Sequence, residues 1–202
     1  MPSRVAIVLQ ARVGSTRLPG KALADLGGRP LLEHCLRRLV RSGAGEVMLA
    51  TTERPEDEAL VDIARRLNVR VFRGSTDDVL ARYVAAAASV SASVVIRATG
   101  DNPAVDVDAP SRVLGILERN RADYACEDGL PVGAGVEAIT CEALNRAVAA
   151  ATAPEDREHV TLYVKQRPGA FRVVRQPAPE SLFCPDLSLT VDTREDLDYL
   201  RQ

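Results

Sequence analysis

Tryptophan is absent from these 202 residues, and aromatic side chains make up only 3%. Without aromatic platforms, stacking of successive bases is not an available way to hold a single strand. A basic surplus is missing too: 26 Lys and Arg stand against 28 Asp and Glu, for a net charge of −2. No nucleic-acid footprint follows, so any anion binding has to be local. The four cysteines, Cys35, Cys126, Cys141 and Cys184, lack CxxC-type spacing, which argues against both a zinc site and a disulfide framework. They are expected to be reduced thiols in a cytoplasmic protein. No apolar run approaches the ~20 residues of a membrane helix. Arg4 is followed by only five apolar residues before Gln10, so no secretory leader is expected.

What is present is an alternation of apolar runs and helical patterns. "VAIVL", "EVMLAT", "VRVFRG" and "SVVIRATG" read as strands. Each is followed by a helix: "PLLEHCLRRLVRSG" with Leu31, Leu32, Cys35, Leu36, Leu39 and Val40 on one face, "PEDEALVDIARRLN", "TDDVLARYVAAAASV" and "VDAPSRVLGILERN". Pro30 suits a first helical turn and Gly43 a C-terminal cap. Four β-α units in a row predict a three-layer α/β/α fold with a mostly parallel sheet. Beyond residue 120 the rhythm changes: short strands "ADYAC" and "GVEAIT" surround a Gly-rich loop, helices are expected near 141–151 and 156–167, and a strand at 170–175. A last strand, "LSLTV", then leads into a helix at "TREDLDYL". The length suits one domain over 1–202.

Ligands of an open parallel sheet bind outside the carboxyl ends of its strands. At the first such end lies "QARVGSTRLPGK", with Arg12, Arg17 and Lys21 on a backbone made permissive by Gly14 and Gly20. A polyanion, a phosphate chain above all, suits this loop; a solvated basic loop is the plain alternative. It is not a Walker A loop, since five residues separate Gly14 from Gly20 and Ala22 follows Lys21, and the GxGxxG fingerprint is absent. At the end of the fourth strand, "RATGDNPAVD" delivers Asp101 to the same edge. A carboxylate facing phosphates calls for a divalent cation between them, and a turn cap before Asn102-Pro103 is the alternative. Asp106 and Asp108 mimic a DxD metal motif but read better as caps of the helix that follows. Asp192, in "LTVDTREDL", leaves the last strand as Asp101 leaves the fourth, with Thr193 and Asp196 capping a helix; convergence of the two aspartates on one metal and plain capping both fit. His159, in "DREHV", reads either as a general base or as a structural or substrate-orienting residue, and His34 as structural.

Together "QARVGSTRLPGK", "RGSTDDVLARY", "RATGDNPAVD", "GVEAIT", "PEDREHVTLYV" and "LTVDTREDL" resemble the cytidylyltransferase-like family of spore coat polysaccharide biosynthesis protein F. That family is related to the synthetases of CMP-activated 3-deoxy-manno-octulosonate and sialic acid. The resemblance spans essentially the whole chain. It implies a glycosyltransferase-A-like nucleotidyltransferase fold and transfer of CMP from CTP, with Mg²⁺, to a small acidic or sugar-like acceptor. It places Arg12 and Lys21 on the triphosphate as the catalytic cations, with Gln10, Ala11, Gly14, Ser15 and Thr16 beside it. Arg73, Gly74 and Ser75 lie where relatives approach the nucleotide, Thr99 and Asp101 complete that subsite, and Asp101 and Asp192 hold the metal. Glu137, Asp156, Arg157, Glu158 and His159 would line the acceptor pocket. The nucleotide half is then about 1–120 and the acceptor half about 121–202, with a homodimer, a cytoplasmic location and neither nucleic-acid nor membrane partners expected. One departure stands out: many members have Cys-Pro-Leu or Glu-Pro-Leu after the GD pair, where this chain has Asn102-Pro103-Ala104. A glycosyltransferase using a nucleotide sugar, and a nucleotide-binding protein without turnover, are the rival functions.

Overall fold

The computed structural model describes residues 3–15 and 17–202. The first half alternates as its periodicity predicts: β1 (Val5–Gln10), a two-residue hairpin of β2 (Asp25–Leu26) and β3 (Arg29–Pro30), α1 (Leu31–Ser42), β4 (Glu46–Thr52), α2 (Glu58–Arg66), β5 (Arg70–Gly74), α3 (Val79–Ser89), β6 (Val94–Thr99) and α4 (Ala109–Arg119). The second half adds β7 (Tyr124–Asp128), β8 (Glu137–Thr140), α5 (Cys141–Ala150), α6 (Pro154–Glu158), α7 (Leu162–Lys165), β9 (Val173–Pro177) and α8 (Arg194–Leu200). Seven strands form one sheet in the order β5-β4-β1-β6-β8-β7-β9. The first four are parallel, β8 runs antiparallel to β6 and to β7, and β7 and β9 are parallel.

β1 is buried on both faces. Ile7 and Leu9 join a core with α1, α2 and α4, while Ala6 and Val8 join a second core with α3 and α5. This period of two under a run with no polar residue is what a strand covered on both faces requires. α1 buries the stripe Leu31, Leu32, Cys35, Leu36 and Leu39, and Gly43 ends it in the left-handed region at φ 63°. Asp78 opens α3 by accepting from the Ala81 amide at 2.8 Å, and Thr193 with Asp196 forms a capping box on α8. No helix among the described residues is long and apolar enough to cross a membrane.

Three expectations need correction. The helix over 156–167 is two helices, α6 and α7, because His159 leaves helical geometry at ψ 75°. "LSLTV" is not a strand of the sheet: among the described residues it makes one isolated bridge, Val132 to Ser188, and the Val191 amide donates to Asp101 O at 2.8 Å. An alternating pattern marks extended backbone, and here the partners are loops. The strand expected at 170–175 begins at Val173, since the amides of Ala170 and Phe171 both donate back to the Arg167 carbonyl in a turn.

Candidate active site

β1, β6 and the loops behind them open onto a cavity of about 360 Å³. Its lining includes Gln10, Ala11, Arg12, Ser15, Arg17, Lys21, Thr99, Asp101, Glu158 and His159, with Arg82 and Arg97 behind them. The loop after β1 is held from below by Asp57, which is buried and accepts from the Val13 amide at 2.8 Å and from the hydroxyls of Thr51 and Thr52. Gly20, at φ 72°, folds back to donate to Val13 O at 3.1 Å and starts a short helical turn that carries Lys21. Gly100 donates to Gln10 O at 2.8 Å, and a Cβ there would come within 2.7 Å of the Ala11 Cβ. Only glycine lets β6 deliver Asp101 this close to the first loop.

Lys21 is the centre of the site. Its Nζ donates to Asp101 Oδ2 at 3.0 Å, to Asp192 Oδ1 at 2.8 Å and to the Val191 carbonyl at 2.9 Å. Arg17 reaches the same Asp192 oxygen at 2.9 Å. The Val191-to-Asp101 backbone bond clamps the segment before α8 against the end of β6, which brings the two carboxylates together. Among the described residues no cluster of three or more His, Cys, Asp or Glu is placed to hold a metal. Two carboxylates and a carbonyl are nonetheless hard oxygen donors of the kind Mg²⁺ uses when phosphate oxygens and water complete its shell.

A second cavity, of about 730 Å³, shares Arg97 and Thr99 with the first and is also lined by Tyr124, Glu137, Lys165 and Arg175. Glu137 accepts from Arg97 at 2.9 Å, Thr161 at 2.9 Å, Lys165 at 2.9 Å and Tyr124 at 2.7 Å. Burial alone would raise its pKa, but Arg97 and Lys165, with the hydrogen bonds from Lys165 and Tyr124, outweigh burial and hold the carboxyl down at about 2. Both oxygens of Glu137 are spoken for, so its role is to fix cations along this wall.

Other sequence-assigned residues do not line either cavity. Arg73 donates to Glu58 at 2.6 Å and to the carbonyls of Thr52 and Arg54, a brace between β5 and α2. Ser75 receives the Asp78 amide on its hydroxyl and the Arg82 guanidinium on its carbonyl, and Gly74 packs against Phe72 and Arg82. Arg157 is fully engaged with Asp78, Ala151 O and Val148 O at 2.9–3.0 Å. Asp156 is buried near Arg167, Gly14 stands in open space and is absent from the cavity lining, and Thr16 lies outside the described residues. Asp108 stands at the N-cap of α4 without a side-chain cap bond, while Asp106 Oδ1 accepts from the Asp108 amide at 3.2 Å just before the helix and Asp106 pairs with Arg112 at 2.7 Å. His34 bonds Leu26 O at 2.7 Å, in keeping with a structural role.

Arg82 and Arg97 line the first cavity without any motif assigning them. Arg82 carried a usable signal: it stands in phase with buried Val79 and Ala86, on a helix face where a cation is costly unless it has a task. Arg97 opens "RATGD" in mid-strand, and only the sheet order shows that it faces Glu137.

Comparisons with known proteins agree on one kinship. The sequence profile described as cytidylyltransferase matches residues 6–202. An uncharacterized protein of Methanocaldococcus jannaschii is 38% identical over 190 residues, 94% of this chain and 78% of its own. Spore coat polysaccharide biosynthesis protein SpsF of Bacillus subtilis is 35% identical over 204 residues, 98% of this chain and 85% of its own. A solved cytidylyltransferase from Leptospira borgpetersenii superposes with a TM-score of 0.93 at 32% identity, covering 99% of this chain and 86% of that one. A CMP:2-keto-3-deoxy-manno-octonic acid synthetase solved with CTP gives 0.73 at 21% identity, over 98% and 97% of the two chains, a likeness of fold.

Proposed function

This chain belongs to the cytidylyltransferase family, and from that premise we propose that it transfers CMP from CTP to a small acidic or sugar-like acceptor and releases pyrophosphate. The observation that carries the reading is the meeting of Asp101 and Asp192 on Lys21, with Lys21 and Asp101 lining a cavity that also holds Arg12 and Arg17. A cytidine triphosphate laid along the first loop would meet Arg12, Arg17 and Lys21 with its phosphates. The acceptor would occupy the second cavity and approach past Arg97 and Thr99.

In the reaction an acceptor oxygen forms a bond to the α-phosphorus while the bond to the β-phosphate oxygen breaks in line. Arg12 and Lys21 stabilise the charge that gathers on the departing pyrophosphate. An acidic acceptor attacks as its anion and needs no base; a hydroxyl acceptor gives up its proton, and His159 lines the cavity where that proton would leave. Asp101 and Asp192 would hold a divalent cation, Mg²⁺ by the chemistry of the donors, which when bound neutralises phosphate charge. The Lys21 ammonium now holds those same carboxylate oxygens, so cation and ammonium are alternatives for them. The phosphate chain offers the ammonium other oxygens to move to.

The test is pyrophosphate release with each of the four nucleoside triphosphates against a panel of sugar acids, sugar phosphates and neutral sugars, with and without Mg²⁺. Release is expected with CTP and one acidic or sugar-like acceptor. Glycosyl transfer from a nucleotide sugar, with its nucleoside phosphate released, or CTP binding with no turnover on any acceptor, would overturn the reading.

A further inference from the structure

We infer that Arg82 is a further anion-binding residue of this cavity, donating to a phosphate oxygen of the nucleotide. The inference rests on the nucleotidyl-transfer reading, which assigns phosphates to the first loop but gives Arg82 no part.

Arg82 is only 3% exposed, yet it lines the cavity. A buried guanidinium is ordinarily matched by a carboxylate, since stripping it of water is costly. Here none is paired with it. Among the described residues Arg82 makes no ion pair; its Nη1 donates to the Ser75 carbonyl, and its Nε has no partner. Asp57 and Asp78, whose charges act on it, are committed elsewhere, and Glu158, which lines the same cavity, approaches Arg12 at 4.0 Å instead. Asp57 takes the Val13 amide and the hydroxyls of Thr51 and Thr52, and Asp78 takes the Ala81 amide and Arg157. Arg12 comes close to it: its Nη1 donates to the Thr76 carbonyl at 3.5 Å, next to the Ser75 carbonyl that Arg82 holds, and both residues line the same cavity. Burial above all, with Arg12 acting in the same direction, lowers the pKa of Arg82 below the ordinary guanidinium value.

Two more residues of the same lining carry buried polar atoms without partners, Gln10 Oε1 and Arg97 Nε. Buried polar atoms in a folded protein are normally satisfied, and three orphans among the residues lining one cavity call for an explanation that a bound ligand supplies. Two guanidiniums facing one space repel unless an anion lies between them. Arg12 belongs to the phosphate loop, so the anion shared by Arg12 and Arg82 is a phosphate of the nucleotide.

The experiment titrates CTP and inorganic tripolyphosphate separately, each with Mg²⁺, into the wild-type protein, Arg82→Met and Arg82→Lys by calorimetry. Arg82→Met is expected to weaken both ligands by about 30-fold or more, with Arg82→Lys, which keeps the charge but loses the fork, recovering only part of the loss. Weaker CTP with unchanged tripolyphosphate would make Arg82 a reader of the base or ribose and overturn the inference. So would unchanged affinity for both ligands in a folded Arg82→Met protein. Should Arg82→Met fail to fold, Arg82→Lys decides: it keeps the charge and loses the fork, so a weakening of both ligands supports the inference and two unchanged affinities overturn it. Wild type that binds tripolyphosphate but not CTP would sink the cytidylyl-transfer reading, while the tripolyphosphate arm still tests Arg82.

Discussion

Asp101 and Asp192 come from opposite halves of the chain, and each puts one oxygen within 3.0 Å of the Lys21 ammonium. Two carboxylates so near one point repel unless a cation lies between them. A lysine answers that need now, and a divalent ion would answer it with more charge. At this scale the prediction concerns sharing. Asp101→Asn and Asp192→Asn should each lower Mg²⁺-dependent pyrophosphate release by ~10²–10³. Ligands of one ion act as a unit, so the double variant should be little worse than the worse single one. The check is a double-mutant cycle on kcat/KM together with the Mg²⁺ concentration giving half-maximal rate. Losses that multiply would mean the two aspartates do not share an ion.

Among the elements, α6 shows how a motif of charged residues divides between site and scaffold. Glu158 and His159 point into the first cavity, while Arg157, beside them in sequence, points away. Arg157 donates to Val148 O and Ala151 O at the end of α5, where the helix leaves carbonyls unsatisfied and its dipole favours a cation. Its remaining donor meets Asp78, the cap of α3. One side chain therefore ties α3, α5 and α6 together. Arg157→Ala should cost ~1–3 kcal/mol, or about 2–12 °C in Tm, with the KM of the acceptor left near its wild-type value. Thermal melts alongside acceptor kinetics decide it; a normal Tm with a raised acceptor KM would return Arg157 to the acceptor pocket.

On the scale of the whole molecule, Glu137 joins the two halves of the sheet. It sits on β8 and takes donors from β6, β7, α7 and Thr161. Its pKa falls from 4.5 to about 2 in the folded protein. A depressed carboxyl stabilises the fold above its unfolded pKa, and that stability is lost as the pH falls through the folded value. The contribution is on the order of 3 kcal/mol, present above about pH 5 and gone near pH 2. Glu137→Gln should therefore lower Tm clearly at neutral pH, where it also leaves Arg97 and Lys165 without their carboxylate. The gap to wild type should narrow as the pH is brought from 5 to 2. A gap that stays constant over that range would show that the charge of Glu137 is not what holds the two halves together.

The alternation of apolar runs and amphipathic stretches determined the parallel half of the sheet, because burial on both faces permits little else. The spacing of "QARVGSTRLPGK" and the position of Asp101 after a strand likewise marked one edge of that sheet. Residues 187–191 showed the limit: their pattern is that of a strand, but the sheet offers them no partner, and they end beside Asp101 instead. The direction of Arg157, the bracing role of Arg73 and the placement of Arg82 on the cavity wall were decided only in three dimensions. Each depends on which carbonyl or carboxylate lies within about 3 Å of a long side chain. Local sequence fixes where such a side chain starts; the packing of distant elements fixes what it reaches.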